Sequence, residues 1–217
     1  MKQASTNSRS FITKRVRYII AFLAIALLFY NSVYFKPLDE VKAAAEEQKF
    51  DLVAFVEDLM VAKMDNVGTI SVSDLYDRAT VDFKELMDAE GKEMGISNFR
   101  YFMIEGTGTV VAIEEENVLL KLEGVSDTLK IATDFIFGST LRDASGLVSI
   151  SDYASTMDFN NISVEMNNQV GQIVVAPFVN KVEEGSKVVF VGGTKIDITA
   201  GAVKNLRVIP SKLEIIE

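Results

Sequence analysis

The sequence predicts an α+β protein: an N-terminal transmembrane helix, short helices, and a five-stranded OB-like small β-barrel with an inserted helix. Three observations carry this. An uncharged run, Tyr18 to Phe35, follows a basic tail. The later patterns run strand-strand-strand-helix-strand-strand, the order of a five-stranded OB-type barrel. The first of those strands is long and interrupted by Gly106 and Gly108, as expected where a strand turns a barrel corner. A different small barrel or a partly open sheet would share that linear order.

Taken in chain order, residues 1–17 form a basic cytoplasmic tail holding Lys2, Arg9, Lys14, Arg15 and Arg17 and no acid. Residues 18–35 form the anchor. As a helix, eighteen residues span about 27 Å against a hydrocarbon core of roughly 30 Å. Leu, Ile and Phe in that run each favour insertion by about 0.3 to 0.6 kcal/mol. Arg15, Arg17 and Lys36 flank it and can snorkel to the headgroups. The basic side stays in the cytoplasm, so the chain after Lys36 is expected beyond the inner membrane. A cleaved signal peptide is the alternative, opposed by the large residues Val33, Tyr34 and Phe35 at the end of the run.

Residues 36–97 form a helical juxtamembrane region. Leu52, Phe55, Val56, Leu59, Met60, Met64 and Val67 recur at three and four residues, with Asp51 as N-cap. Ser71 and Asp74 fit a capping box for a second helix whose apolar face is Leu75, Ala79, Phe83, Leu86 and Met87. Gly91 and Gly95 stop it. These helices would dock on a sheet or form a stalk that spaces the barrel off the membrane.

Residues 98–217 form the barrel domain. The strands are Phe99–Ile113, the alternating run from Val118, and "TLKIATDFIF". Phe159, Ile162, Met166, Val170 and Ile173 make a helical stripe, ended by Pro177. "KVVFVGG", "TKIDIT" and "NLRVIPSKLEII" complete the sheet, with "VGG" as a hairpin turn and Pro210 near a strand break.

Composition excludes several chemistries. The chain has 217 residues, no Cys and no His, so disulfides, thiol catalysis, a Ser-His-Asp triad and His/Cys zinc sites are ruled out. After residue 17 there remain 17 basic residues against 31 acids. That acidic balance repels phosphate backbones, so no nucleic-acid partner is expected. No cofactor and no metal site are expected. "GTG" at Gly106–Gly108 lacks a Walker lysine and spacing. "EEE" at Glu114–Glu116 lacks the ordered ligand spacing of a calcium loop.

The candidate site is "GSTLRDA". In one reading Arg142 and Asp143, with Ser139 and Thr140, sit at the barrel rim, where Arg142 forks a carboxylate or sugar hydroxyls. In the other, Gly138 turns the chain, Asp143 caps the next segment, and Arg142 pairs with an acid or covers a carbonyl. Asn160 and Asn168, with Asn161 and Asn167, form either a polar ligand face or a solvated one. Asp134 and Asp143 are a carboxylate pair that a glycan hydrolase would need, although catalysis is not expected.

"KPLDEVKAAAEEQKFD", "GTGTVVAI", "GSTLRDA" and "DFNNISVEMNNQV" together resemble, from about Lys36 to Glu217, the predicted periplasmic lipoproteins of domain of unknown function twenty-two ninety-one. The resemblance implies an envelope location and genes beside sugar-type ABC transporters, and no reaction. Those lipoproteins carry a lipid-modified Cys just before "PLD". Here the region reads Val33, Tyr34, Phe35, so the anchor would fall to the apolar helix. The expectation is therefore a membrane-anchored extracytoplasmic accessory or binding module. Its partner would be an ABC transporter component or solute-binding protein for sugars or nucleosides. The alternatives are a direct receptor for a small polar ligand and a glycan hydrolase.

Overall fold

In the computed structural model, residues 14–32, 51–153 and 155–216 are described. The chain divides into two compact units, Met1–Lys49 and Phe50–Glu217.

In the first unit, helix α1 covers Lys14–Ser32. Its large apolar side chains from Tyr18 to Tyr30 are all exposed. The span expected over 18–35 is not found as such. Among the described residues no helix is long and apolar enough to cross a membrane. The uncharged part of α1 up to Tyr30 rises only about 20 Å, and residues 33–36 lie outside the described residues.

The second unit is a closed barrel wrapped by helices. Its strands are β1 (Ile70–Ser71), β2 (Phe99–Ile113), β3 (Asn117–Leu122), β4 (Thr128–Ala132), β5 (Lys187–Asp197) and β6 (Arg207–Ile216). The order is β1-β2-β3-β4-β6-β5, and a β2–β5 pairing closes the ring. Five strands close; β1 adds two residues parallel to β2. β2 reaches both neighbours because it is long. It pairs β5 from Phe99 to Thr109 and β3 from Gly108 to Ile113. The glycines sit where the wall is tightest. A Cβ on Gly106 would lie 3.0 Å from the Phe190 ring, and one on Gly108 would lie 3.0 Å from the Leu120 Cβ.

Alternation along β2 separates two cores. Phe102 and Ile104 point into the barrel with Leu120, Ile131, Phe190 and Val208. Helix α3 (Val72–Ala89) caps that interior with Val72, Leu75, Leu86 and Met87. Its start is as the sequence requires: Ser71 Oγ accepts from the Asp74 N–H at 3.1 Å. α3 is broken at Asp82, which leaves helical geometry and caps the second half by accepting from Glu85 N–H. Tyr101 and Met103 point outward instead. Over them pack helices α2 (Leu52–Asp58), α4 (Thr140–Ser145) and α5 (Thr156–Gln169), through Val56, Leu141, Ala144, Ile162 and Met166. Helices α2 and α3 are thus walls of the two cores.

Three sequence expectations are corrected. "VGG" is not a hairpin: β5 runs unbroken through Gly192 and Gly193. The glycines are there because other chain segments touch them. A Cβ on Gly192 would lie 2.4 Å from Ile209 O, and one on Gly193 would lie 2.9 Å from the Leu141 Cα of α4. The third barrel strand stops at Ala132, not Phe137, because Phe135 takes φ 48°. Pro177 does not end its helix. A π-turn over Val170–Val175 precedes α6 (Ala176–Val179), and the proline sits in the first turn of α6, where its missing N–H costs little. Pro210 does mark an irregularity: the β5–β6 register shifts between Val191 and Gly192, leaving Ser211 bulged.

Candidate functional site

The segment after β4 is fixed from three directions, one by backbone and two by side chains. Thr133 and Asp134 both donate their N–H to Glu116 O. Arg207 donates to Asp134 O at 2.8 Å while its Nε holds Asn117. Asn167 on α5 donates to Gly138 O at 2.8 Å. Gly138 takes φ 85° and turns the chain into α4, and Gly146 at φ 65° ends it. Lys92 closes the C-terminal end of α4, donating to Ala144 O at 2.6 Å and Ser145 O at 2.9 Å. Burial pushes its ammonium pKa down.

Arg142 and Asp143 lie inside the protein, at 5% and 4% exposure. Arg142 Nε and Nη2 both reach Asp143 Oδ1, at 2.8 and 2.7 Å. Its Nη1 donates to Phe159 O at 3.0 Å, and the guanidinium lies 3.6 Å from the centroid of the Phe159 ring. Each of the three guanidinium nitrogens therefore has a partner, and its face is stacked. Tyr101 borders the pair. Burial first, then the Asp143 carboxylate, raise its phenol pKa, against the opposing pull of Ser139 and Arg142.

The structure brings Ser139, Arg142, Asp143 and Asn167 into one cluster. It does not bring in the rest. Thr140 is half-buried at the start of α4; Asn160 and Asn161 are exposed; Asn168 is exposed and reaches Glu165 at 3.5 Å. Arg15 and Arg17 are exposed on α1, and Lys36 lies outside the described residues. Asp134 is exposed and accepts from Phe135 N–H, while Asp143 is held by Arg142. This arrangement ties α4 to α5 and presents no open fork to a ligand. Sequence reasoning missed Lys92, Tyr101 and Phe159. The alternation of β2, which turns Tyr101 outward, is the signal that could have found one of them.

Open concavities lie elsewhere. One trough of about 370 Å³ runs between the π-turn and β6. A second, of about 220 Å³, lies beside Tyr76, between α3, the Gly124–Ser126 turn and Val203. Burial, then the Asp127 carboxylate, push the Tyr76 phenol up to about 12. Because the folded pKa exceeds the usual value near 10, stability is intact below pH 10 and falls as pH rises toward 12. Tyr101 and Tyr153 shift in the same direction. Thermal melts from about pH 9 to 12 are expected to show a loss of melting temperature that Tyr76→Phe reduces.

Comparison with known proteins adds two findings. A family model described as predicted periplasmic lipoprotein, domain of unknown function 2291, matches residues 23–214. The fold is similar to that of an OB-fold protein from Thermotoga maritima MSB8, with a TM-score of 0.69 at 24% identity, over 78% of this chain and 100% of that one. That likeness bears on the fold alone. No curated protein matches the chain.

Proposed function

Since the chain belongs to the family of predicted periplasmic lipoproteins, we propose that it is an extracytoplasmic accessory module that acts by docking. Its partner in this reading is a permease or solute-binding protein of a sugar or nucleoside ABC transport system. Family membership over residues 23–214 is the observation that carries the location. The inward-turned Arg142–Asp143 pair favours docking over direct recognition of a polar ligand at that point. With no Cys to lipidate, retention at the cytoplasmic membrane falls to the basic-flanked apolar segment 18–35. In this reading the N-terminus is cytoplasmic and the barrel lies outside.

Mild crosslinking of envelopes followed by capture of the full chain is expected to recover the permease or solute-binding protein, and carbonate washing to leave the chain in the membrane. Recovery of the chain alone would overturn the docking reading. So would a sugar that raises its melting temperature by RT ln(1 + [L]/Kd), which a receptor requires. Release by carbonate would overturn the anchor.

A further inference from the structure

The loop between β4 and α4 carries an unusual display. Ile136 tucks against the outer core, while Phe135 and Phe137 on either side are 56% and 73% exposed. Phe135 adopts φ 48°, a left-handed conformation that a bulky residue rarely takes. Arg207 and Asn167 clamp the loop at Asp134 and Gly138. Two phenyl rings are therefore held out in water on a rigid base. Acids collar them: Asp134 is exposed within the loop, and Glu114, Glu115 and Glu116 are exposed on the turn that Thr133 and Asp134 bond to.

The trough beside β6 has the opposite character. Ile173, Val174, Phe178 and Leu213 line it together with Lys181 and Lys212, both exposed. Ile173 is 60% exposed. Lys181 makes no ion pair among the described residues, and Lys212 meets only Glu214, at 3.1 Å on the surface. Such an exposed pair is worth little and is readily exchanged. Both walls are irregular, with the π-turn on one and the Ser211 bulge on the other, the kinds of distortion that recur at functional surfaces. The volume, about 370 Å³, has room for two phenyl rings, since about 150 Å³ holds a benzene.

We propose that a second copy of this chain is the occupant: Phe135 and Phe137 of one copy enter the trough of another, and the acidic collar meets Lys181 and Lys212. The apolar and charged halves match in kind, and a rigid aromatic anchor loses little entropy on docking. A lipid surface is the poorer fit, because the collar would press carboxylates against anionic headgroups.

The test uses full-length chains bearing two different tags, captured in mild detergent over a range of concentrations. Wild-type copies are expected to co-capture. Phe135→Asn with Phe137→Ser is expected to weaken self-capture at least tenfold, and so is Ile173→Asp with Lys181→Glu. All four positions are exposed, and unchanged circular dichroism and melting temperature confirm the fold of each variant. Mixing the phenyl-deficient chain with the trough-deficient chain leaves one intact knob and one intact trough, so capture is expected to recover. Three results would each overturn the proposal: no wild-type self-capture, capture that survives both double variants (as it would if α1 drove it), or no recovery on mixing. Loss of flotation with phosphatidylcholine vesicles on phenyl removal, with self-capture unchanged, would also overturn it and assign the loop to the membrane.

Discussion

Arg142→Ala is expected to destabilise the domain by about 3 to 5 kcal/mol, the cost of removing one partner from a buried ion pair. Asp143 would be left at 4% exposure with its guanidinium partner gone. Phe159 O would lose its donor, and the Phe159 ring would lose its stacked cation. For a domain of this size that corresponds to a fall of roughly 6 to 20 °C in melting temperature. Urea unfolding followed by circular dichroism measures it. Arg142→Lys is expected to recover little, because one ammonium cannot serve the carboxylate, the carbonyl and the ring together. Replacing both members, Arg142→Met with Asp143→Leu, is expected to recover much of the loss, since an apolar pair leaves no uncompensated charge. An Arg142→Ala variant with unchanged stability would show that the pair does not tie α4 to α5.

Gly193→Val is the second large effect. The first added carbon would stand 2.9 Å from Leu141 Cα, 3.0 Å from Ala144 Cβ and 3.2 Å from Thr140 O. Two of these belong to backbone, which cannot rotate away as a side-chain tip can. α4 would have to lift from β5, carrying Arg142 with it. Overpacking of this kind costs about 1 to 3 kcal/mol, and here it adds the disturbance of the buried pair. Gly171→Ala is the control. Nothing lies within 4 Å of its added carbon, so stability should be unchanged or slightly raised. Equal melting temperatures for Gly193→Val and wild type would refute the close approach.

The contrast between those glycines shows what a single sequence makes legible. Periodicity located the helix faces, and Ser71 three residues before Asp74 located a cap, because both signals are local. Gly106 and Gly108 stood out because the strand around them is long and β-branched, although the register of β2 breaks a little later, between Val110 and Ala112. Gly192–Gly193 carries the same letters as a hairpin turn, and what distinguishes it is the nearness of Leu141, some fifty residues away in sequence. Phe135 to Phe137 looks like strand, since nothing in the letters says that Phe135 will adopt a left-handed conformation. The cluster was legible only in part. Both of its charged members stood out in "GSTLRDA", but the ring that Arg142 stacks on lies on another helix. An arginine beside an aspartate reads the same at a rim and in a core.

The β2–β5 ladder joins Phe99 to Asp197 and Thr109 to Lys187, residues separated by 98 and 78 positions. No rung of it can exist until Lys187 has emerged from the ribosome and, in an exported chain, from the translocation channel. The cylinder therefore closes only once β5, and β6 after it, has emerged, and long-range strand pairing of this kind is slow. Until then the hairpin of β2 and β3 waits with one margin open, a window in which chaperones of the destination compartment, rather than the sequence itself, guard against aggregation.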